Sequence, residues 1–348
     1  MKKAIILFNL GGPDCLDAVE PFLFNLFNDK AIISLPGILR YPLAKFISKR
    51  RTPIAKKIYS EMGGKSPILE ETQAQAAAIQ KSLEKEDDEY KCFIVMRCWH
   101  PRAIDVVEKV KAYAPDQIIL LPLYPQYSNA TSGSSIKEWL DVCKNEEFNV
   151  KTKIICCYPT EKDFILSYAN LIKKRININN LSKTTLIFSA HGLPENKIKK
   201  GDPYQWQVEQ TVNDLVKNLS IKNLNYILSY QSSVGPLKWI GPSTEKIIKN
   251  EAIKQKIIIV VPVAFVSEHS ETLVELDIEY RKLAEQNGSK EYIRVPAVTV
   301  NQDFINSLKS NILQASKCEK FTSSVRCLDK FKKCPRLKNY KNELLSSI

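Results

Sequence analysis

The feature that most constrains this chain is an alternation. Short apolar runs rich in β-branched residues, at 4–10, 92–96, 117–123, 153–157, 185–189, 226–230 and 256–263, are separated by longer stretches of helical period. Each run has the length and continuity of a strand buried on both faces. The stretches at 68–85, 101–113, 135–143, 163–175, 204–219 and 271–286 bring apolar residues back every three or four positions, as helices with one buried side do. Strand followed by helix along a whole chain predicts parallel α/β sheets, because a parallel pair needs a crossover and here the crossovers are helical. The 348 residues leave room for about two such domains.

Internal echoes refine this. Ile118-Ile119-Leu120-Leu121-Pro122-Leu123 resembles Ile258-Ile259-Val260-Val261-Pro262-Val263, and Ile6-Leu7-Phe8-Asn9 resembles Leu186-Ile187-Phe188-Ser189. The offsets, 140 and 180, differ by 40, so related halves require an insert of that length in the first. The segment 30–65 has that length and lacks a strand-like run. Chance likeness of apolar strands is the competing reading, and the sequence leaves both open. The expected fold is α/β: two similar doubly wound parallel-sheet (Rossmann-like) halves with the active-site cleft between them. Their expected bounds are 1–150 with the insert near 30–65, then 151–315, then a basic tail at 316–348.

The formal charge is +13, from 51 Lys and Arg against 38 Asp and Glu. Such an excess invites a nucleic-acid reading, but 41 of the basic residues are Lys and 10 are Arg, whereas phosphate readers lean on the Arg fork. No DNA- or RNA-reading motif is present. Residues 40–57 carry a net +7 and residues 316–348 a net +6, so the rest of the chain is neutral. Nine scattered cysteines do not form a secreted disulfide framework, which points to a reducing cytoplasm. Met1-Lys2-Lys3 and the apolar run after it imitate a signal peptide, but the run is short and reads better as a first strand. The apolar run 257–266, broken by Pro262, is far below the roughly 20 residues of a membrane span.

The three histidines, His100, His191 and His269, each follow a strand-like run, and strand ends are where open α/β sheets place their sites. His191 leads into Gly192-Leu193-Pro194, and His269 lies in Ser267-Glu268-His269-Ser270-Glu271. Glu271, Glu275 and Glu279, spaced i, i+4, i+8, would form one acidic line on a helix, headed by Glu268 and His269. Carboxylates at that spacing repel, which a cation or proton traffic would relieve; a solvated helix face is the plain alternative. Imidazole beside carboxylates suits a borderline divalent ion such as Fe²⁺, Zn²⁺ or Co²⁺. No Cys-x-x-Cys or His-Glu-x-x-His motif is present, so a permanently held zinc is not indicated.

Several strings, taken together in order, resemble the ferrochelatase family. They are Leu10-Gly11-Gly12-Pro13-Asp14, Lys49-Arg50-Arg51-Thr52-Pro53, Gly63-Gly64-Lys65-Ser66-Pro67-Ile68, Tyr124-Pro125-Gln126-Tyr127-Ser128, Ser189-Ala190-His191-Gly192-Leu193-Pro194 with Gly201-Asp202-Pro203-Tyr204, Gln231-Ser232-Ser233-Val234-Gly235-Pro236, and the segment from Ser267 to Asp277. The resemblance covers roughly residues 3–315. It implies insertion of Fe²⁺, a substrate, into protoporphyrin IX, with loss of two pyrrole protons. It further implies that His191 faces the porphyrin nitrogens as base or metal ligand, with Glu271 its partner in catalysis and metal handling. Glu268, Glu275 and Glu279 become a conduit or accessory metal site, and His269 a residue orienting Glu271. Arg51, Tyr59 and Ser66 match positions at the porphyrin edge, and Leu10, Arg97 and Tyr127 positions around the ring. Cys98 stands where related chains often carry Tyr, and Glu268 where others carry Asp.

The insert interleaves apolar residues with cations from Leu35 to Ile47, a pattern suited to peripheral contact with the anionic inner face of a membrane. Ordinary packing against the protein body is the other reading. No tightly bound cofactor is expected. Some ferrochelatases hold a [2Fe-2S] cluster near the carboxyl end, but Cys318, Cys327 and Cys334 are too widely spaced for the usual pattern. Coproporphyrin III, or cobalt placed in a corrin precursor, is the alternative chemistry. A non-catalytic nucleic-acid module is the alternative of another class.

Overall fold

The computed structural model describes residues 1–318 and 320–336; the end of the expected basic tail, 337–348, lies outside the described residues, as does Glu319. In chain order the strands are β1 (Lys2–Asn9), β2 (Glu89–Met96), β3 (Gln117–Pro122), β4 (Thr152–Cys157), β5 (Thr184–His191), β6 (Tyr226–Gln231), β7 (Ile257–Pro262), β8 (Glu291–Arg294) and β9 (Phe321–Ser323). They form two parallel sheets, ordered β2-β1-β3-β4-β9 and β6-β5-β7-β8. The expected α/β class with two Rossmann-like halves is what the chain forms. The sheets belong to two compact units. One comprises Met1–Cys157 and Leu308–Ser323 with residues 334–336, and the other Tyr158–Ser307 with Ser324–Lys333.

The two strand orders decide whether the internal echoes mean anything. In each unit the first strand lies between the second and the third, and the fourth follows the third. The echoed runs fall on β1 and β5, eight residues each, and on β3 and β7, six residues each. Shared topology with matching strand lengths at equivalent places favours related halves over chance. The extra length of the first half is helical: residues Gly37–Ser60 form a helix of 24 residues, with Pro42 and Pro53 inside it.

The expected division at 150 fails at one strand. A boundary at 150 puts β4 in the second half, yet β4 pairs with β3 in the first sheet. A fully apolar run does not say which sheet edge it will join. The tail is corrected too, since β9 adds to the same sheet beside β4. Both β8 and β9 escaped sequence reading; at four and three residues they are too short to show a pattern.

In the second unit, Ile187, Ile258 and Val260 of the sheet pack with Ile248, Ala252, Leu276 and Ala284, all fully buried. Each Ile, Val or Leu side chain so buried contributes about 1.5–3 kcal/mol relative to exposure. Leu276 and Ala284 anchor the segment carrying the carboxylates, leaving Glu271 and Glu275 partly accessible and Glu279 exposed. That segment is not the single α-helix the period predicts. Glu271–Glu279 is a π-helix, and an α-helix resumes at Tyr280–Gln286. Among the described residues no helix is long and apolar enough to cross a membrane.

Candidate active site

His191 is the last residue of β5, in register with Gln231 at the end of β6. Chain direction in a parallel sheet puts both at the carboxyl edge. Two contacts fix the backbone there. The Tyr204 hydroxyl donates to the His191 carbonyl at 3.0 Å, and the Gly192 amide donates to the Gln231 carbonyl at 2.9 Å. A Cβ on Gly192 would lie 2.9 Å from that same carbonyl oxygen, so only glycine permits the approach.

The His191 ring meets Glu271, with Nδ1 2.9 Å from Oε2. An ionised carboxylate only accepts, so Nδ1 carries the hydrogen and Nε2 of the neutral ring keeps its lone pair. The imidazole remains 37% exposed, enough for an outside group to reach it. Burial disfavours the imidazolium, but the Glu271 charge and hydrogen bond, with Glu275 behind them, hold the His191 pKa above its ordinary value. Burial would likewise raise Glu271, yet His191 above all, with His269, brings it down to about 2. The two side chains therefore form a hydrogen-bonded imidazole–carboxylate couple at a strand end.

His269 takes a different place from the one expected. Its Nε2 is 3.9 Å from Glu271 Oε2, beyond hydrogen-bond length, so Glu271 is oriented by His191. The His269 ring instead packs on Phe265, with centroids 4.7 Å apart, and burial lowers its pKa. Its backbone starts the π-helix, where the His269 amide donates to Thr272 Oγ1 and the Thr272 hydroxyl bonds the His269 carbonyl, both at 3.0 Å.

The acidic line divides. Glu268 turns to Arg294, with Nη1 at 2.9 and 3.1 Å from its two oxygens, and accepts the Ala297 amide at 3.0 Å. Its charge is neutralised there. Glu275 accepts from Gln231 Nε2 at 3.0 Å, the Ser232 amide at 2.9 Å, the Ser232 hydroxyl and the Tyr280 hydroxyl at 2.9 Å. Even so, burial and the Glu271 charge leave its pKa raised. Glu279 is raised as well, by burial and by Glu275. The run Glu271, Glu275, Glu279 thus leads from the imidazole to an exposed carboxylate. At the start of the π-helix, Gln231 Nε2 donates to the Glu271 carbonyl at 3.2 Å.

Sequence reading missed Gln231, Ser232, Tyr204 and Tyr280 as individual site residues. Gln231 and Ser232 stood in one of the quoted strings and Tyr204 in another, but nothing marked them off from their neighbours.

In the first unit, Leu10 and Tyr59 share an apolar cluster with Val19, Phe22, Leu23 and Cys98. Ser66 is buried, and its amide donates to the Pro13 carbonyl at 2.8 Å. A Cβ on Gly12 would lie 2.5 Å from Ser66, which explains the glycine. Arg51 stands over the Phe27 ring at 5.9 Å. Arg97 is engaged internally, bonded to Ser134 Oγ at 2.7 Å and ion-paired with Asp29 at 3.0 Å and Glu138 at 3.3 Å. Tyr127 is fully buried, its hydroxyl 3.2 Å from Asn129 Oδ1. Neither presents a free polar group.

Among the described residues no group of three or more His, Cys, Asp and Glu side chains is arranged to hold a metal ion. Cys156 is fully buried and shares thiol hydrogen bonds with Cys157 and Cys334, which together with burial push its pKa up.

A ferrochelatase family model matches residues 2–316. The chain belongs to the ferrochelatase family. A ferrochelatase of Pelagibacter ubique (strain HTCC1062) is 61% identical over 347 residues, covering 98% of this chain and 100% of that protein. A ferrochelatase of Rickettsia bellii (strain OSU 85-389) is 49% identical over 341 residues, 96% of this chain and 94% of that one. Among solved structures, the sirohydrochlorin chelatase SirB from Bacillus subtilis subspecies spizizenii, in complex with cobalt, matches with a TM-score of 0.53 at 11% identity, covering 92% of this chain and 97% of that chain. That likeness supports the fold of this ferrochelatase-family chain, and family membership makes it a metal chelatase.

Proposed function

We propose that the chain inserts Fe²⁺ into protoporphyrin IX and releases two protons. The observation that supports this most is the His191–Glu271 couple at 2.9 Å, with imidazole Nε2 left as a lone pair at an accessible strand end. Insertion must strip two pyrrole N–H protons. Nε2 accepts one proton while Glu271 balances the imidazolium; the Nδ1 proton then passes to Glu271 and by Glu275 and Glu279 to solvent, which restores a neutral imidazole to accept the second. Two donor groups alone hold a divalent ion weakly, which suits a metal that must be passed on. Arg51, Tyr59 and Ser66 are assigned to the propionate edge and Leu10 to the ring by family resemblance. The same reading has no resident iron–sulfur cluster.

The test is an anaerobic assay of the purified protein with Fe²⁺ and protoporphyrin IX, with coproporphyrin III in parallel. Protohaem formation with the larger kcat/KM for protoporphyrin is expected. Preference for coproporphyrin would refute the substrate assignment, and no insertion into either would refute the reaction.

The proposal extends to the membrane. On the helix Gly37–Ser60, Ile38, Leu39, Tyr41, Phe46 and Ile54 are exposed among Lys45, Lys49 and Arg50. An anionic surface attracts each such cation by about 1 kcal/mol, so changing all three to Gln is expected to weaken binding to phosphatidylserine vesicles about a hundredfold. Unchanged vesicle sedimentation would remove the membrane role.

A further inference from the structure

The second unit holds a buried polar cluster with no assigned task. Ser189, Ser229, Gln231 and Thr244 are each at most 1% exposed. Their side chains form a row: Ser229 Oγ lies 2.9 Å from Thr244 Oγ1, which lies 2.9 Å from Ser189 Oγ, which lies 2.7 Å from Gln231 Oε1. At the other end, Gln231 Nε2 is 3.0 Å from Glu275 Oε2 and 3.2 Å from the Glu271 carbonyl.

Counting hydrogens gives the row a direction. The Glu271 carbonyl and an ionised Glu275 only accept, so Gln231 turns its NH₂ to them and its carbonyl to Ser189. Ser189 then donates its one proton to Gln231 and has only lone pairs left for Thr244. Thr244 donates to Ser189, and Ser229 donates to Thr244. The contact from Ser229 to the Phe188 carbonyl, at 3.4 Å, is the long branch of the same donor. Every proton points toward Glu275, and hydrogen bonds aligned in this way strengthen one another in a dry interior.

We propose that Gln231 is a positioning residue of the chelatase site and that the Ser229, Thr244 and Ser189 hydroxyls are the relay that orients it. Resting on the chelatase reading, the proposal gives Gln231 two simultaneous tasks. It holds the Glu275 carboxylate, and it caps the Glu271 carbonyl so that the first π-turn keeps the Glu271 side chain on His191. Were the amide free to flip, its carbonyl would face two acceptors and both contacts would be lost.

The experiment compares metal-insertion kinetics of wild type, Gln231→Met, Thr244→Val, Thr244→Ser and the double variant Thr244→Val with Gln231→Met, each first checked by circular dichroism melting. Gln231→Met is expected to lower kcat about ten- to a hundredfold, the scale of a displaced catalytic group, with porphyrin KM held within about twofold. Thr244→Val should lose part of that kcat, and Thr244→Ser should regain it. In the Gln231→Met background, Thr244→Val should cost nothing further, because the relay acts through Gln231. Additive losses in the double variant, an unchanged kcat in Gln231→Met, or an effect on KM alone would overturn the proposal. If Thr244→Val does not fold, Ser189→Ala breaks the adjacent link and is read by the same criteria. A wild type that inserts no metal fails the chelatase reading and this proposal with it, whereas an active wild type with additive losses fails the proposal alone.

Discussion

His191→Ala is expected to lower the rate of metal insertion by about 10²–10⁴-fold, the range for loss of a positioned proton acceptor. Porphyrin binding should survive, because the imidazole makes no anchor for the propionates. The companion variant, Glu271→Gln, tests the couple through pH. Glu271 holds the His191 pKa above its ordinary value of 6.5, and insertion needs the neutral ring, so the acid limb of kcat/KM lies above that pH in wild type. With the carboxylate gone, burial is the main influence left and it depresses the imidazolium. The acid limb should therefore move to lower pH, while kcat falls because the imidazolium formed in the reaction loses its counter-charge. Full turnover in His191→Ala, or an acid limb that stays put in Glu271→Gln, would remove the couple from the mechanism.

The same couple makes stability depend on pH. His191, with its pKa raised from 6.5, stabilises the fold fully below that value and loses the contribution as pH rises through its folded pKa. Glu271, lowered from 4.5 to about 2, contributes above 4.5 and loses the contribution as pH falls toward 2. Both contributions are complete only between about pH 4.5 and 6.5, and thermal melts of wild type and Glu271→Gln should differ most in that window.

Glu268→Ala should damage the fold rather than the chemistry. Arg294 and Glu268 are 10% and 14% exposed, so removing the carboxylate leaves a guanidinium with Asp277 as its remaining ion-pair partner, at 3.1 Å. Loss of one member of such a pair costs about 3–5 kcal/mol, with Asp277 holding the figure toward the lower end. Against a typical stability of about 5–15 kcal/mol this is a large fraction, and the melting temperature should drop accordingly. At temperatures where the variant is folded, kcat should stay within about threefold of wild type, since the carboxylate does not reach the imidazole. A normal melt with a collapsed kcat would return Glu268 to the acidic line.

The contrast between Glu268 and Glu275 shows where sequence reading stops. Spacing alone puts both in one acidic line. Spacing reports which face of a helix a residue occupies, but Arg294, which claims Glu268, is supplied by β8, an element too short to be read from sequence. Gln231 and Glu275 are 44 positions apart, and no local pattern couples them. The contact of Gln231 with the Glu271 carbonyl is of the same kind, because it joins residues 40 positions apart. The family resemblance matches Arg97 to a position around the porphyrin ring, and two carboxylates of its own unit hold it.

What the chain determines by itself follows from local chemistry: apolar runs become buried strands, helical periods become their crossovers, and His191 ends one such run at the carboxyl edge of its sheet. The echoed runs also stood in the sequence, though only the matching strand orders gave them meaning. Tertiary structure alone decided that β4 and β9 complete the first sheet, that His191 rather than His269 hydrogen-bonds Glu271, and that Glu268 is neutralised. Each depends on a partner chosen by packing across a long sequence separation, and periodicity carries no information about such partners.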